Sequence, residues 1–319
     1  MNVRRRLIPA AAVTAATALG LGTLSACSSD SAAAGNTDKF DVVASFYPMA
    51  FLAQQIGGDH VHVTSLTGPG QEPHDLEISA RQTVQLEKSD AVLYLKNLQP
   101  AVDKAVAQSG VKTKIDAATL TSLEEHGNEV GGHAAEHDHE HGEEEGGKDP
   151  HIWLDPVRYA QVAEGVGKAF EKADPDHAAD YKKNTAALVE KLDRLNTQYK
   201  QGLANTKTKV FITTHAAFGY LAERYGLTEE AINGLDPESE PSASRVKDLE
   251  KMAKADGVTT VFYETLVSDK TAKTIAQDSH LKTDVLDPIE GITKKSRGDD
   301  YFQVMESNLK ALQTALGAK

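Results

Sequence analysis

The sequence predicts an α/β protein of two similar lobes, each a mostly parallel sheet flanked by helices, joined by one long rigid helix. Three observations predict it. Short apolar runs of strand type alternate with helical stretches in both halves of the chain. The same plan returns after about 170 residues, a spacing too long for a solenoid. Between the halves runs one unbroken helical stripe.

In the first half, residues 39–45 (Lys-Phe-Asp-Val-Val-Ala-Ser) read as a buried strand and residues 48–56 as the helix after it. Residues 61–66 read as a second strand, 80–88 as a helix, 91–95 as a third strand and 101–108 as another helix. In the second half, residues 209–214 (Lys-Val-Phe-Ile-Thr-Thr) read as a strand and 216–225 as a helix. The halves then align. Residues 45–53 match 214–222, with Ala50-Phe51-Leu52-Ala53 against Gly219-Tyr220-Leu221-Ala222. Leu86-Glu87-Lys88 matches Leu249-Glu250-Lys251, and the strand at 91–95 matches 258–263, each after an Asp.

The connector is residues 174–205. Asp174 reads as its N-cap, with Pro175 at the first helical position. Tyr181, Thr185, Leu188, Leu192, Leu195 and Tyr199 recur at alternating spacings of four and three, one apolar stripe opposite a face of Lys, Asp, Glu and Asn. At the rise of an α-helix residues 174–203 run roughly 43 Å, enough to span both lobes and to allow only small motions between them. The chain thus divides into a leader (1–26), a tether (27–38), an N-terminal lobe (39–173) with a His-rich loop (124–148), the connector (174–205) and a C-terminal lobe (206–319).

The N-terminus sets an expected compartment. Arg4, Arg5 and Arg6 precede a mostly apolar, Ala-rich stretch at 7–24, the pattern of a secretory leader and too short for a permanent span. It ends in Leu24-Ser25-Ala26-Cys27, and Cys27 is the only cysteine, so no internal disulfide can form. These residues resemble the lipobox of bacterial lipoproteins, in which the leader is removed before the cysteine and the cysteine is acylated. The resemblance implies an extracytoplasmic protein anchored to the cell membrane through Cys27. The Ser, Ala, Gly and Asp residues after it suit a flexible tether. With 47 acidic against 34 basic residues, the net charge of −13 argues against nucleic acid and against docking on anionic lipid.

Histidine carries the chemistry. Of 12 histidines, five (His126, His133, His137, His139 and His141) lie in the acidic, Gly-studded stretch at 124–148, which has no apolar run to bury. Three others stand in short polar or Pro-marked segments beside strand ends. His74 lies in Gly70-Gln71-Glu72-Pro73-His74-Asp75, and His151 in Asp149-Pro150-His151-Ile152-Trp153-Leu154-Asp155-Pro156. His215 directly follows the strand ending in Thr213-Thr214. Loops at the carboxyl ends of strands converge on the ligand crevice of an open α/β sheet. Neutral imidazoles from both lobes suit a borderline-soft divalent ion. His60 and His62 read as one solvent-facing strand edge, His177 and His280 as surface residues, and Trp153 as packing. Asp75, Asp149 and Asp155 are alternative candidates to orient the imidazoles.

The segments at 70–75, 149–156, 214–221 (Thr-His-Ala-Ala-Phe-Gly-Tyr-Leu) and 236–242 (Asp-Pro-Glu-Ser-Glu-Pro-Ser) resemble the zinc receptors of ABC transporters, in a family that also holds manganese receptors. The likeness runs from about residue 42 to the C-terminus and includes the His-rich insert and Asp287-Pro288-Ile289-Glu290-Gly291. It implies a metal site in the cleft between the lobes, with His74, His151 and His215 as ligands and a carboxylate or a water as the fourth, Glu290 being the best match and Asp287 the runner-up. It implies Zn2+ as cargo, with Mn2+ the alternative, because manganese receptors of this family typically carry Glu where His215 stands. It implies a monomer that delivers its ion to a permease and, through it, to an ATPase. The His-rich loop reads equally as a weak zinc collector or as a solvated spacer. Other readings are a surface zinc buffer or adhesin, a receptor for metal chelates, and a zinc enzyme. The chain has neither a His-Glu-x-x-His nor a Gly-x-Ser-x-Gly motif, which argues against the enzyme.

Overall fold

The computed structural model describes residues 39–126 and 148–318. The leader, Cys27, the tether, His133, His137, His139 and His141 lie outside the described residues. The first sheet is built from β1 (Phe40–Ala44), β2 (Val61–Ser65), β3 (Ala91–Tyr94) and β4 (Thr113–Asp116), in the order β2-β1-β3-β4. The second is built from β5 (Val210–Thr213), β6 (Thr228–Ala231), β7 (Thr260–Tyr263) and β8 (Lys282–Val285), in the order β6-β5-β7-β8. Every pairing is parallel, and the two orders are the same. Parallel neighbours need crossovers, and here helices supply most of them.

In the first lobe these helices are α1 (Tyr47–Gly57), α2 (Ala80–Lys88) and α3 (Pro100–Gln108). Ser79 opens α2 with a reciprocal cap: its Oγ accepts from the Gln82 amide, and Gln82 Oε1 accepts from the Ser79 amide at 2.9 Å. Two long helices follow, α4 (Pro156–Ala173) and α5 (Ala178–Gly202). The second lobe adds α6 (Gly219–Tyr225), α7 (Ala243–Ala255), α8 (Lys270–Asp278) and α9 (Tyr301–Leu316).

The stripe read on the connector is the buried face of α5: Tyr181, Thr185, Leu188, Leu192, Leu195 and Tyr199 are its buried residues. One end of the helix is tied to the first lobe, where Asn184 donates to the Ile56 carbonyl at the end of α1. The other is tied to the second, where Tyr199 donates to the Met305 carbonyl of α9. The start differs from expectation. A 3-10 turn at Pro175–His177 precedes the helix, and the Asp174 side chain caps no amide. Its carboxylate instead accepts from Tyr181 Oη at 2.5 Å and lies 2.8 Å from His177 Nδ1.

One hydrophobic core crosses between the lobes. Phe46, Phe51, Trp153 and Tyr159 belong to the same buried cluster as Phe211, Phe218, Tyr301 and Met305. Trp153 is the keystone: it packs edge-on against Phe46, its Nε1 donates to the Pro288 carbonyl at 2.7 Å, and its own carbonyl accepts from Tyr301. Asp155 caps α4 and also holds Arg224 of α6.

Two local readings change. The helix after β5 begins at Gly219 rather than 216, because the backbone bends at residues 214–216 and stays irregular through 218. His60 closes a 3-10 turn (Gly58–His60) instead of sharing a strand face with His62, and its ring stacks on His177. His62 alone lies on β2, exposed at a sheet edge.

Candidate metal centre

The four residues singled out for metal come together. One donor atom from each of His74, His151, His215 and Glu290 lies within 4.8 Å of all the others. Glu290 is the hub: its Oε1 is 3.1 Å from His74 Nε2, 3.4 Å from His151 Nε2 and 3.6 Å from His215 Nε2. The Nε2 atoms of His151 and His215 are 3.4 Å apart. Four donors held 2.0–2.1 Å from a tetrahedral zinc ion are themselves about 3.3–3.4 Å apart. The four separations found here are close to four of the six edges of such a tetrahedron, and the donor atoms of the set all lie within 4.8 Å of one another.

Each donor arrives on a different element. His74 comes from the segment between β2 and α2, and His151 from the turn before the 3-10 helix Ile152–Leu154. His215 lies two residues past β5, and Glu290 on the segment after β8. Ile289 is buried at φ 60°, a conformation a β-branched side chain rarely takes, and its amide donates to Asp287 Oδ1. That strained link sets the direction of Glu290. The burial is uneven: the His74 side chain is 12% exposed, while those of His151, His215 and Glu290 are at most 1%.

The outward nitrogens are spoken for. His151 Nδ1 lies 2.7 Å from Asp149 Oδ1, and His215 Nδ1 lies 2.9 Å from Glu264 Oε1. A neutral imidazole that donates from Nδ1 must present a lone pair at Nε2. Two such lone pairs and a carboxylate oxygen then face one point, and only a cation there satisfies all three. Glu290 Oε2 is also buried without a hydrogen-bond partner, leaving capacity for a second oxygen contact.

Electrostatics agree with this reading. Burial opposes protonation of His215, but Glu264 and Glu290 outweigh it and hold the imidazole well above its usual value. His151 is raised too, burial being overcome by Asp149 and then Glu290. Burial disfavours charge on Glu290, yet the three histidines hold its carboxyl well below the usual range. In the absence of metal, protons and imidazoles fill the role of the cation.

Residues 42–315 match the family described as zinc-uptake complex component A, periplasmic (ZnuA). The chain belongs to the ZnuA family. It is 37% identical over 298 residues to the zinc-binding lipoprotein AdcA of Streptococcus pneumoniae serotype 4, covering 91% of this chain but 58% of that longer relative. It is 34% identical over 321 residues to the high-affinity zinc uptake system protein ZnuA of Bacillus subtilis, covering 94% of this chain and 98% of the relative. Its fold superposes on the crystal structure of the Zn(II)-bound ZnuA-like domain of S. pneumoniae AdcA with a TM-score of 0.71 at 35% identity, over 87% of this chain and 99% of that one.

Within this ZnuA-family chain the other candidates take different places. Asp287 faces away from the cluster: Oδ1 accepts from the Ile289 amide and Oδ2 from Thr265, and burial pushes its carboxyl up to about 6. Asp155 serves α4 and Arg224, and Asp75 is exposed. Of the three proposed orienting aspartates, Asp149 alone meets one of the four clustered residues. Glu264 was missed, since its one local signal is that it directly follows β7, the strand beside β5. Glu72 was missed as well. Its carboxylate accepts from the amides of His74 and Asp75 and shapes the turn that carries His74.

Proposed function

We propose that this chain is the extracytoplasmic receptor of a zinc ABC importer, holding Zn2+ through His74, His151, His215 and Glu290 and delivering it to a permease driven by an ATPase. The observation that carries this reading is the set of 3.1–3.6 Å separations that tie each of the three Nε2 atoms to Glu290 Oε1 and the Nε2 atoms of His151 and His215 to each other. Three imidazoles with one carboxylate favour zinc over manganese, which prefers more oxygen. The chain is a receptor and does no chemistry on its cargo.

In this reading the leader at 1–26 is removed, acylated Cys27 anchors the protein and residues 27–38 tether it. The lobes are 39–173 and 206–319, the connector is 174–205, and the receptor acts as a monomer. The histidines of the 124–148 segment then gather zinc without forming the tight site. Asp149 and Glu264 hold the tautomers of His151 and His215 so that both Nε2 atoms face the ion.

A competition titration of Zn2+ against Mn2+ on the chain lacking residues 124–148 tests the reading. One tight zinc equivalent that manganese does not displace is expected. Each of His74→Ala, His151→Ala and His215→Ala is expected to abolish tight binding. Tighter manganese than zinc binding, or no tight equivalent in a folded protein, would overturn the assignment.

A further inference from the structure

Glu229, on β6, is 1% exposed and uses both of its side-chain oxygens inside the second lobe. Its Oε2 accepts from the Phe218 amide at 2.9 Å. Its Oε1 is 2.7 Å from the Thr213 hydroxyl, and that same hydroxyl is 2.9 Å from the carbonyl oxygen of His215. Thr213 and Phe218 are the two ends of the irregular stretch that carries His215. One side chain therefore clasps both ends.

The hydrogens along this line can be counted. Two oxygen–oxygen contacts of hydrogen-bond length need two hydrogens. A carbonyl oxygen has none, and a threonine hydroxyl has one. The second has to sit on Glu229 Oε1, which then donates to Thr213 Oγ1 while Thr213 donates to the His215 carbonyl. An ionised Glu229 would claim the hydroxyl hydrogen and leave the His215 carbonyl facing a bare lone pair. The surroundings agree. Among the described residues Glu229 forms no ion pair, whereas its neighbour Glu230 is met by Arg245 at 2.9 Å. Burial, helped by the charge of Asp149, pushes the Glu229 carboxyl up to about 7 in spite of its hydrogen bonds to Thr213 and the Phe218 amide. The carboxylates of Asp149, Glu264 and Glu290 already face the imidazoles. A neutral acid holds the bend without adding a further negative charge beside them.

We propose that Glu229 acts as a neutral carboxylic acid and is the positioning residue of the His215 bend: its O–H holds the His215 carbonyl through Thr213, and its other oxygen holds the Phe218 amide. The proposal rests on the reading in which His215 takes part in holding the ion. Glu264 fixes the His215 ring from one side, and Glu229 fixes the backbone beneath it.

The test compares variants of the full chain by chelator-competition titration of the tight zinc equivalent. Glu229→Ala and Thr213→Val break the line, and each is expected to weaken that equivalent by about tenfold or more. Glu229→Gln offers an N–H to Thr213 and a carbonyl oxygen to the Phe218 amide, the same pattern as the neutral acid. It is expected to rescue the affinity lost in Glu229→Ala to within about threefold of the parent. The parent-minus-Gln infrared difference spectrum at slightly acid pH is expected to show the carbonyl stretch of a carboxylic acid. A Gln variant as weak as the Ala variant, full affinity in Thr213→Val, or carboxylate bands alone in the difference spectrum would overturn the proposal. If Glu229→Ala does not fold, affinity in the Gln and Val variants and the infrared spectrum still decide. Absence of a tight equivalent in the parent would count against the receptor reading instead, and the infrared spectrum would still report the state of Glu229.

Discussion

At the scale of single residues, the centre depends on atoms that never touch the ion. Glu264 accepts from both Thr214 and His215, and its Oε2 is buried without a partner. Glu264→Ala frees the His215 ring and its tautomer, and a loss of about 10–100-fold in zinc affinity is expected from equilibrium titration. Protons set a second expectation. His151 and His215 are raised above their ordinary values by facing carboxylates, so without metal they carry protons at a pH where free imidazole has shed them. Zinc held as proposed has to displace those protons. Affinity therefore rises with pH through and above the usual imidazole range and falls as pH drops, with the window starting higher than the 6.5 of an unperturbed histidine. Isothermal titration near neutral pH in buffers of different ionisation enthalpy is expected to show proton release on zinc binding.

The elements divide by how loudly each announces itself. The six-residue stripe of α5 was legible because one face of a long helix is buried along its length. The central strands β1, β3, β5 and β7 were legible as apolar runs. The edge strands β4 (Thr-Lys-Ile-Asp) and β6 (Thr-Glu-Glu-Ala) were not, because polar strands carry no such run. In β6, Glu229 is buried and satisfied by Thr213 and the Phe218 amide, a pairing no local pattern reveals. The clustered histidines were legible from Pro-marked and strand-terminal settings, whereas Glu264 meets His215 only through strand order. Helix packing supports a sharper prediction. A Cβ on Gly167 of α4 would sit 2.3 Å from Thr185 Oγ1 of α5, so Gly167→Ala is expected to cost roughly 1–3 kcal/mol in chemical denaturation. Leu192→Ala, at 0% exposure on the buried face of α5, is expected to cost roughly 2–5 kcal/mol.

Across the whole molecule, the shared core and the two-ended ties of α5 oppose any wide opening of the lobes. Prising them apart would expose Phe46, Trp153 and Tyr301 together. The compliant part of the centre is His74, the one clustered side chain with measurable exposure, on a segment without helix or strand at 66–79. Zinc release is expected to begin there. Hydrogen exchange is expected to slow on zinc binding mainly within residues 66–79, with the radius of gyration in solution scattering unchanged. A large contraction on binding would point to hinge closure instead.

The matching strand orders also say why two similar halves show, among the described residues, a single buried cluster of this kind. The position two residues beyond the first strand is equivalent in each lobe. After β5 it is His215, whose imidazole faces Glu290. After β1 it is Phe46, whose ring closes against Trp153. One half spends the position on a member of the His-Glu cluster and the other on a plug, so two matching backbones divide the labour, decided by whether that side chain is an imidazole or a benzene ring.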